Sequence, residues 1–300
     1  MDNDLDTLAT ALYVTVDDLL NDHPEVLPYR PKIGITPKIS DAELLALAVM
    51  QALMNITSEA RWVRYARKHL SQYFPNIPGQ SGYNKRLRKL SGLMAWLIPT
   101  LARTVSVYND DVWVVDSTPI ECARSKETVK RTDLAGFGQY GYSASHSRFF
   151  WGLRLHMLST LDGLPIAFAI TGAKANERDT LLSMLETTPC STGQLLLADK
   201  GYNGKALETE LNQAGITLVR GTRKDETKRP LQQALRPLRQ RIEAIFDTYK
   251  DQLGLENNKA YTPLGVITRI LQRILALTTA IWHNDKTNQP VLRSITAYDH

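Results

Sequence analysis

The stretch WVVDSTPI, residues 113–120, begins as an apolar β-rich run and breaks on a carboxylate, Asp116, followed by serine, threonine and proline. A second stretch, QLLLADKG at 194–201, does the same on Asp199, 83 positions later. A buried strand that ends on a charge has two readings. The aspartate caps the turn that Pro119 enforces, or it holds a cation at the end of a sheet. Ligands collect at the carboxyl ends of neighbouring parallel strands. Two carboxylates brought together there repel, and a divalent cation or a raised pKa relieves the repulsion. Oxygen-only ligands favour a hard ion such as Mg2+ or Mn2+, and the chain offers no His/Cys cluster to suggest zinc.

Outward from these two strands, the pattern predicts further elements. RFFWGLRLHMLST and LPIAFAITGA flank Asp162-Gly163, the signature of a hairpin turn. NERDTLLSMLE (176–186) reads as a helix, NGKALETELNQAG (203–215) as a helix closed by Gly215, and ITLVR as a short strand. RPLRQRIEAIFDTYKDQLG (236–254) is a last helix, with Pro237 in its first turn. The order strand, hairpin, helix, strand, helix, strand, helix predicts a mixed sheet with helices on its faces. This is the order of the RNase H-like fold.

Before residue 105 the style is helical. ISDAELLALAVMQALM opens with a capping box, Ser40 to Glu43. SEARWVRYARKHL follows, then a Pro/Gly-rich turn and a helix carrying Lys85, Arg86, Arg88 and Lys89. Short helix, turn and basic helix fit a helix-turn-helix DNA reader, and equally a helical bundle with a basic face. The expected organisation is an all-α N-terminal DNA-binding region over 1–105, an RNase H-like α/β catalytic domain over 106–256, and a C-terminal helical extension over 257–300 packed on the catalytic domain.

Composition sets the class. Hydrophobic residues make up 43% and charged residues 22% of 300 positions, which is globular. Cys122 and Cys190 support neither a disulfide framework nor a zinc cluster. The acidic opening MDNDLDTLAT lacks the basic start and apolar stretch of a secretory leader. LMAWLIPTLA (93–102) and ITRILQRILALTTAIW (267–282) are too short or too charged to span a bilayer. A soluble, cytoplasmic protein with no membrane partner is expected. The net charge is +5, yet residues 1–36 hold seven acids and two bases, while 61–90 hold eight bases and no acid. Residues 220–241 hold eight more bases against Asp225 and Glu226. Two basic blocks point to a polyanion, most simply nucleic acid.

Several other residues have two readings. Lys200 follows the second aspartate and is expected, with Arg236, to bind DNA, and Gly201 is expected to let the backbone turn sharply there. The polar insert 117–148, with Arg124, Lys126, Lys130 and Arg131, either grips DNA or is a solvated loop. Tyr140 and Tyr142 either stack on an unpaired base or pack locally. His146 and His156 are not expected as ligands; His156 alternates with apolar neighbours and reads as a satisfied core histidine. In 267–282, Trp282 and the leucines and isoleucines read as core, with Arg269 and Arg273 at the surface.

The last predicted helix offers a third carboxylate. Glu243 shares a stripe with Arg236, Arg239, Asp247 and Lys250, at spacings that lie on one helix face. Such a stripe is a solvated surface, or it completes a metal site while Arg239 and Lys250 reach phosphates. Taken with VVDSTPIECARSK, the GYSASHSRFFWGLRLHMLSTLDGLPIAFAITGA block and LLLADKGYNG, the chain resembles DDE transposases of bacterial insertion sequences, most closely the insertion-sequence 982 family. The resemblance runs from Val112 to Lys250 and extends over nearly the whole chain. Arg239, Glu243 and Lys250 match the family signature Y-x2-R-x3-E-x6-K, with Arg236 in the tyrosine slot. The resemblance implies Asp116, Asp199 and Glu243 as catalytic, metal-binding residues. It also implies Mg2+ (or Mn2+) as cofactor, double-stranded DNA as substrate, and at least a homodimer pairing two DNA ends.

Overall fold

The structure is a computed structural model that describes residues 5–30, 33–34, 36–143, 147–222, 226, 235–257, 260–295 and 298; the side chains at 235–237 and 239 lie outside that description. The chain opens with helices α1 (Leu5–Asp22), α2 (Asp41–Leu53), α3 (Glu59–His69), α4 (Gln80–Lys89) and α5 (Ser91–Ala102). There follow β1 (Val112–Ala123), α6 (Lys126–Arg131), β2 (Gln139–Ser143), β3 (Arg148–Thr160), β4 (Pro165–Gly172) and α7 (Glu177–Glu186). The chain continues with β5 (Leu195–Ala198), α8 (Lys205–Gln213), β6 (Thr217–Arg220), α9 (Leu235–Asp247) and α10 (Pro263–Lys286). It divides into two compact units, one of residues 102–248 and one of residues 1–101 with 249–300.

The first unit is the expected mixed α/β, RNase H-like sheet. Its six strands run β2-β3-β1-β5-β6, with β4 also paired to β3. β1, β2 and β4 are antiparallel to β3, whereas β1, β5 and β6 are mutually parallel. Gly163, at φ 93°, makes the expected hairpin turn between β3 and β4. On one sheet face Val114, Leu197 and Val219 bury against Ile242 of α9, with Val112, Leu195 and Leu238 at the margin. These residues alternate along β1 and β5, so one apolar row per strand receives the helix.

β1 departs from expectation. It does not end at Asp116 but pairs with β3 as far as Ala123, opposite Trp151. What ends near Asp116 is the pairing with β5, whose last pair is Val115 with Ala198. Beyond that point β1 is an edge on one side, the setting in which a strand tolerates a proline such as Pro119.

The helical unit differs from the expected division. The C-terminal segment groups with the N-terminal helices, α10 packing against α1, α2 and α4. By length and composition α10 could cross a membrane, but 83% of its apolar window is buried inside the protein. Within the acidic N-terminal segment, Leu5–Asp22 form a helix whose Leu5, Leu8, Leu12, Val16 and Leu20 are buried. α2 carries the expected capping box: Glu43 N donates to Ser40 Oγ at 3.0 Å and Ser40 N to the Glu43 carboxylate at 2.6 Å.

Arg269 and Arg273 are not at the surface; they are 8% and 3% exposed. α10 is enclosed around its circumference, so its polar residues have no solvent face and must be satisfied inside. Arg269 pairs with Glu59, whose two oxygens also accept from Asn84 at 2.8 and 2.9 Å. Arg273 donates to the carbonyls of Leu253 and Arg269, each at 3.2 Å, and to Gln272 at 2.9 Å. Burial, then the charge of Arg269, lowers the pKa of Arg273 to about 9, which leaves it charged at neutral pH.

Candidate active site

Asp116 and Asp199 each follow the last register pair of β1 and β5, Val115 with Ala198. Adjacent strands lie about 4.8 Å apart, so the two residues leave the sheet side by side. Asp116 continues the phase of Val112 and Val114, and Asp199 that of Leu195 and Leu197, the rows that face α9. Each aspartate is held by the next main-chain amide: Ser117 N donates to Asp116 Oδ1 at 2.7 Å, Lys200 N to Asp199 Oδ1 at 2.6 Å. Asp116 is half-buried and Asp199 exposed. Two oxygen donors of this kind suit a hard divalent cation.

Glu243 is exposed and follows Ile242, the α9 residue buried against Val114 and Leu197. The helix that carries it therefore lies on the strands that carry the aspartates. Among the described residues, however, no three His, Cys, Asp or Glu side chains form a cluster ready for a metal. The aspartates are juxtaposed; Glu243 is not drawn into a three-carboxylate group with them.

Ser117, Arg154, Glu177 and Tyr202, to which sequence alone assigned no catalytic part, lie near the pair. Glu177 Oε1, in the first turn of α7, accepts from Ser117 Oγ at 2.5 Å and Arg154 Nη1 at 2.6 Å. Arg154 Nη1 also donates to Ser117 Oγ at 2.9 Å, and its Nη2 to the Tyr142 carbonyl at 3.1 Å. Tyr202 is 1% exposed, and its buried hydroxyl has no hydrogen-bond partner among the described residues. Burial, then the charges of Glu177 and Asp116, with a smaller push from Asp199, hold its pKa well above 10. The phenol thus stays protonated and feels both aspartates. A lone arginine inside the apolar run of β3 was the available sequence signal, since a buried charge demands a partner.

The chain turns at Gly201 as expected, with Tyr202 N donating to the Asp199 carbonyl at 3.0 Å, but the φ of Gly201 is not positive; the glycine with a positive φ in that loop is Gly204, at φ 148°. His156 is core, 1% exposed, with Nε2 2.9 Å from Thr171 Oγ1, but it is only half satisfied because Nδ1 has no partner among the described residues. His146 lies outside the described residues. Tyr140 and Tyr142 are each 49% exposed, and Tyr142 meets Phe149 edge-on at 5.1 Å.

The expected DNA-binding residues separate into exposed and engaged. Lys85, Lys89, Lys126 and Lys200 are exposed. Arg124 is exposed and pairs with Glu121 at 3.3 Å. Arg86 is structural: it donates to the Ile39 carbonyl at 2.7 Å and to buried Asp41 at 2.6 Å. Arg88 lines a cavity of about 240 Å³ with Glu59, Asn84 and Arg269. α3 and α4 pack together but are joined by residues 70–79, a longer link than the helix-turn-helix turn of about 3–4 residues. The side chains of Arg236 and Arg239, and most of the second basic block, lie outside the described residues. Lys250 falls on the π-helical turn Thr248–Gln252, beyond the boundary of the sheet unit.

A mixed sheet of RNase H-like order thus carries two aspartates at the ends of adjacent parallel strands. The family of the transposase DDE domain matches residues 108–279, and the chain belongs to it. It is a transposase, and as such binds DNA. A comparison with curated proteins finds no significant match.

Proposed function

We propose that this transposase binds the terminal repeats of its own insertion sequence, cuts at their boundary and joins the freed strand to target DNA. Asp116, Asp199 and Glu243 are its catalytic carboxylates. The observation that carries this reading is the β1–β5 register, which leaves Asp116 and Asp199 adjacent past Val115 and Ala198. Asp116 and Asp199 would hold Mg2+ or Mn2+, which would supply an activated oxygen nucleophile and neutralise charge developing on the scissile phosphate. The protein's own part is positioning. The Ser117 and Lys200 amides fix one oxygen of each aspartate, and α9, which packs on the sheet through Ile242, is the helix that carries Glu243. Exposed Lys200 meets a phosphate next to the one cut. The protein acts in the cytoplasm on nucleoid DNA, and two copies pair two ends.

The test uses labelled DNA carrying the inverted repeats that flank the gene, with Mg2+ or Mn2+ against EDTA. Metal-dependent cuts at the repeat boundary, with joined products, are expected from the wild type and not from Asp116→Asn or Glu243→Gln. Cleavage without joining would reduce the protein to a nuclease. Binding without cleavage in either metal would make it a DNA-binding regulator.

A further inference from the structure

Ser117 links two things that matter to Asp116. Its main-chain amide donates to Asp116 Oδ1 at 2.7 Å, and its side-chain hydroxyl donates to Glu177 Oε1 at 2.5 Å. Glu177 is itself held by Arg154 at 2.6 Å, and Arg154 reaches back to Ser117 Oγ at 2.9 Å. The three side chains close a triangle around the residue whose peptide orients the Asp116 carboxylate. Arg154 lies opposite Pro119 in β3, and Glu177 opens α7, so the triangle ties β1, β3 and α7 together.

The triangle is costly as a purely stabilising device. Arg154 is largely withdrawn from water, and its Nε is buried without a partner among the described residues. An apolar group of similar shape is often as good or better for stability than such a pair. Its advantage is directional: a carboxylate with two short hydrogen bonds fixes where Ser117 sits, and hence the peptide that feeds Asp116.

We propose that Glu177, acting through Ser117, is a positioning residue for strand cleavage that holds the Asp116 carboxylate in the orientation that takes a divalent cation. The proposal rests on the role given to Asp116 above. Glu177 touches neither the cation nor the DNA.

The experiment measures Mn2+ binding to the full chain without DNA, by the loss of the free-ion electron paramagnetic resonance signal. Thermal melting and DNA affinity are followed alongside. Ser117→Ala and Glu177→Ala are each expected to weaken Mn2+ binding about tenfold, and the double variant no further than either single one. Glu177→Gln keeps an acceptor oxygen for Ser117 and is expected to stay within about threefold of wild type. Unchanged Mn2+ binding in a folded Ser117→Ala protein would overturn the proposal. So would a Glu177→Gln loss as deep as that of Glu177→Ala, because Glu177 would then be a ligand. Asp116→Asn separates the two levels. If it leaves Mn2+ binding intact, the role of Asp116 fails and the positioning role falls with it. If it abolishes binding while Ser117→Ala does not, only the positioning role fails.

Discussion

Glu59, at the start of α3, and Arg269, in α10, form a buried ion pair although 210 residues separate them in the chain. One carboxylate here answers two buried guanidiniums, because among the described residues Arg273 donates to carbonyl and amide oxygens and to no carboxylate. Removing one member of a buried pair leaves an uncompensated charge, which typically costs about 3–5 kcal/mol. Glu59→Gln is therefore expected to destabilise the protein by that amount in urea unfolding. The double replacement Glu59→Gln with Arg269→Met should cost less than Glu59→Gln alone. A loss below about 1 kcal/mol for the single variant would place the pair among surface-like bridges of little weight.

Acid sensitivity should come in part from His156. Burial lowers its pKa from the usual 6.5 to about 4. As pH falls through 6.5 the unfolded chain binds a proton that the folded chain refuses until pH nears 4. Stability from this residue is thus complete above pH 6.5, declines between 6.5 and 4, and stops declining below. The whole effect is about 3 kcal/mol at most. The urea midpoint should fall from pH 7 to 4.5 in the wild type and fall less steeply in His156→Asn. Parallel slopes would remove His156 as the source.

The basic residues of α4 should divide by role. Lys85 and Lys89 are exposed, whereas Arg86 is tied to Asp41, which is 5% exposed. Lys85→Ala and Lys89→Ala should each reduce the salt slope of DNA binding by about 1 and leave stability within about 0.5 kcal/mol. Arg86→Ala should instead lower stability by about 1.5–3 kcal/mol, although Arg30 still reaches Asp41. Anisotropy titrations at several salt concentrations, paired with denaturation curves, distinguish the two. Normal stability of Arg86→Ala with selectively lost DNA binding would reverse the assignment.

Asp116 and Asp199 were legible because an apolar β run that meets a carboxylate is a local pattern, and two such runs set the sheet's switch point. The continuation of β1 past Pro119 was not, since it depends on β5 being four residues long while β3 runs on. Glu177 was visible only as a helix-start acid after the N-cap Asn176. Its pairing with Arg154 crosses from a helix to a strand, and no local pattern encodes it. Arg269 and Arg273 misled for a related reason. A charge on a largely apolar helix marks the wet face only if the helix has one, and α10 does not. Nor does an apolar helix declare which unit it completes, so the tail could not be assigned to the N-terminal helices. The family resemblance to a transposase, drawn from Val112 to Lys250, falls within the matched residues 108–279, which run on into α10.

The last turn of α8 offers a backbone test of the same sheet. α8 ends at Gln213; Gly215 takes φ 74°, and Ile216 N donates to the Leu211 carbonyl at 2.8 Å. This is the six-to-one closure in which a left-handed residue ends a helix. A Cβ at 215 would meet Thr192 Cγ2 at 3.3 Å, and the φ itself disfavours any L side chain. Gly215→Ala is expected to cost about 1–2 kcal/mol. Gly215→Asn should cost less, because asparagine tolerates the left-handed region. The loss should appear in the sheet unit, since the turn feeds β6 and its Val219 packs with Val114 and Leu197. Hydrogen exchange of β5 and β6 amides would register it as faster opening. Wild-type exchange and stability in Gly215→Ala would show that the chain closes α8 equally well without the left-handed glycine.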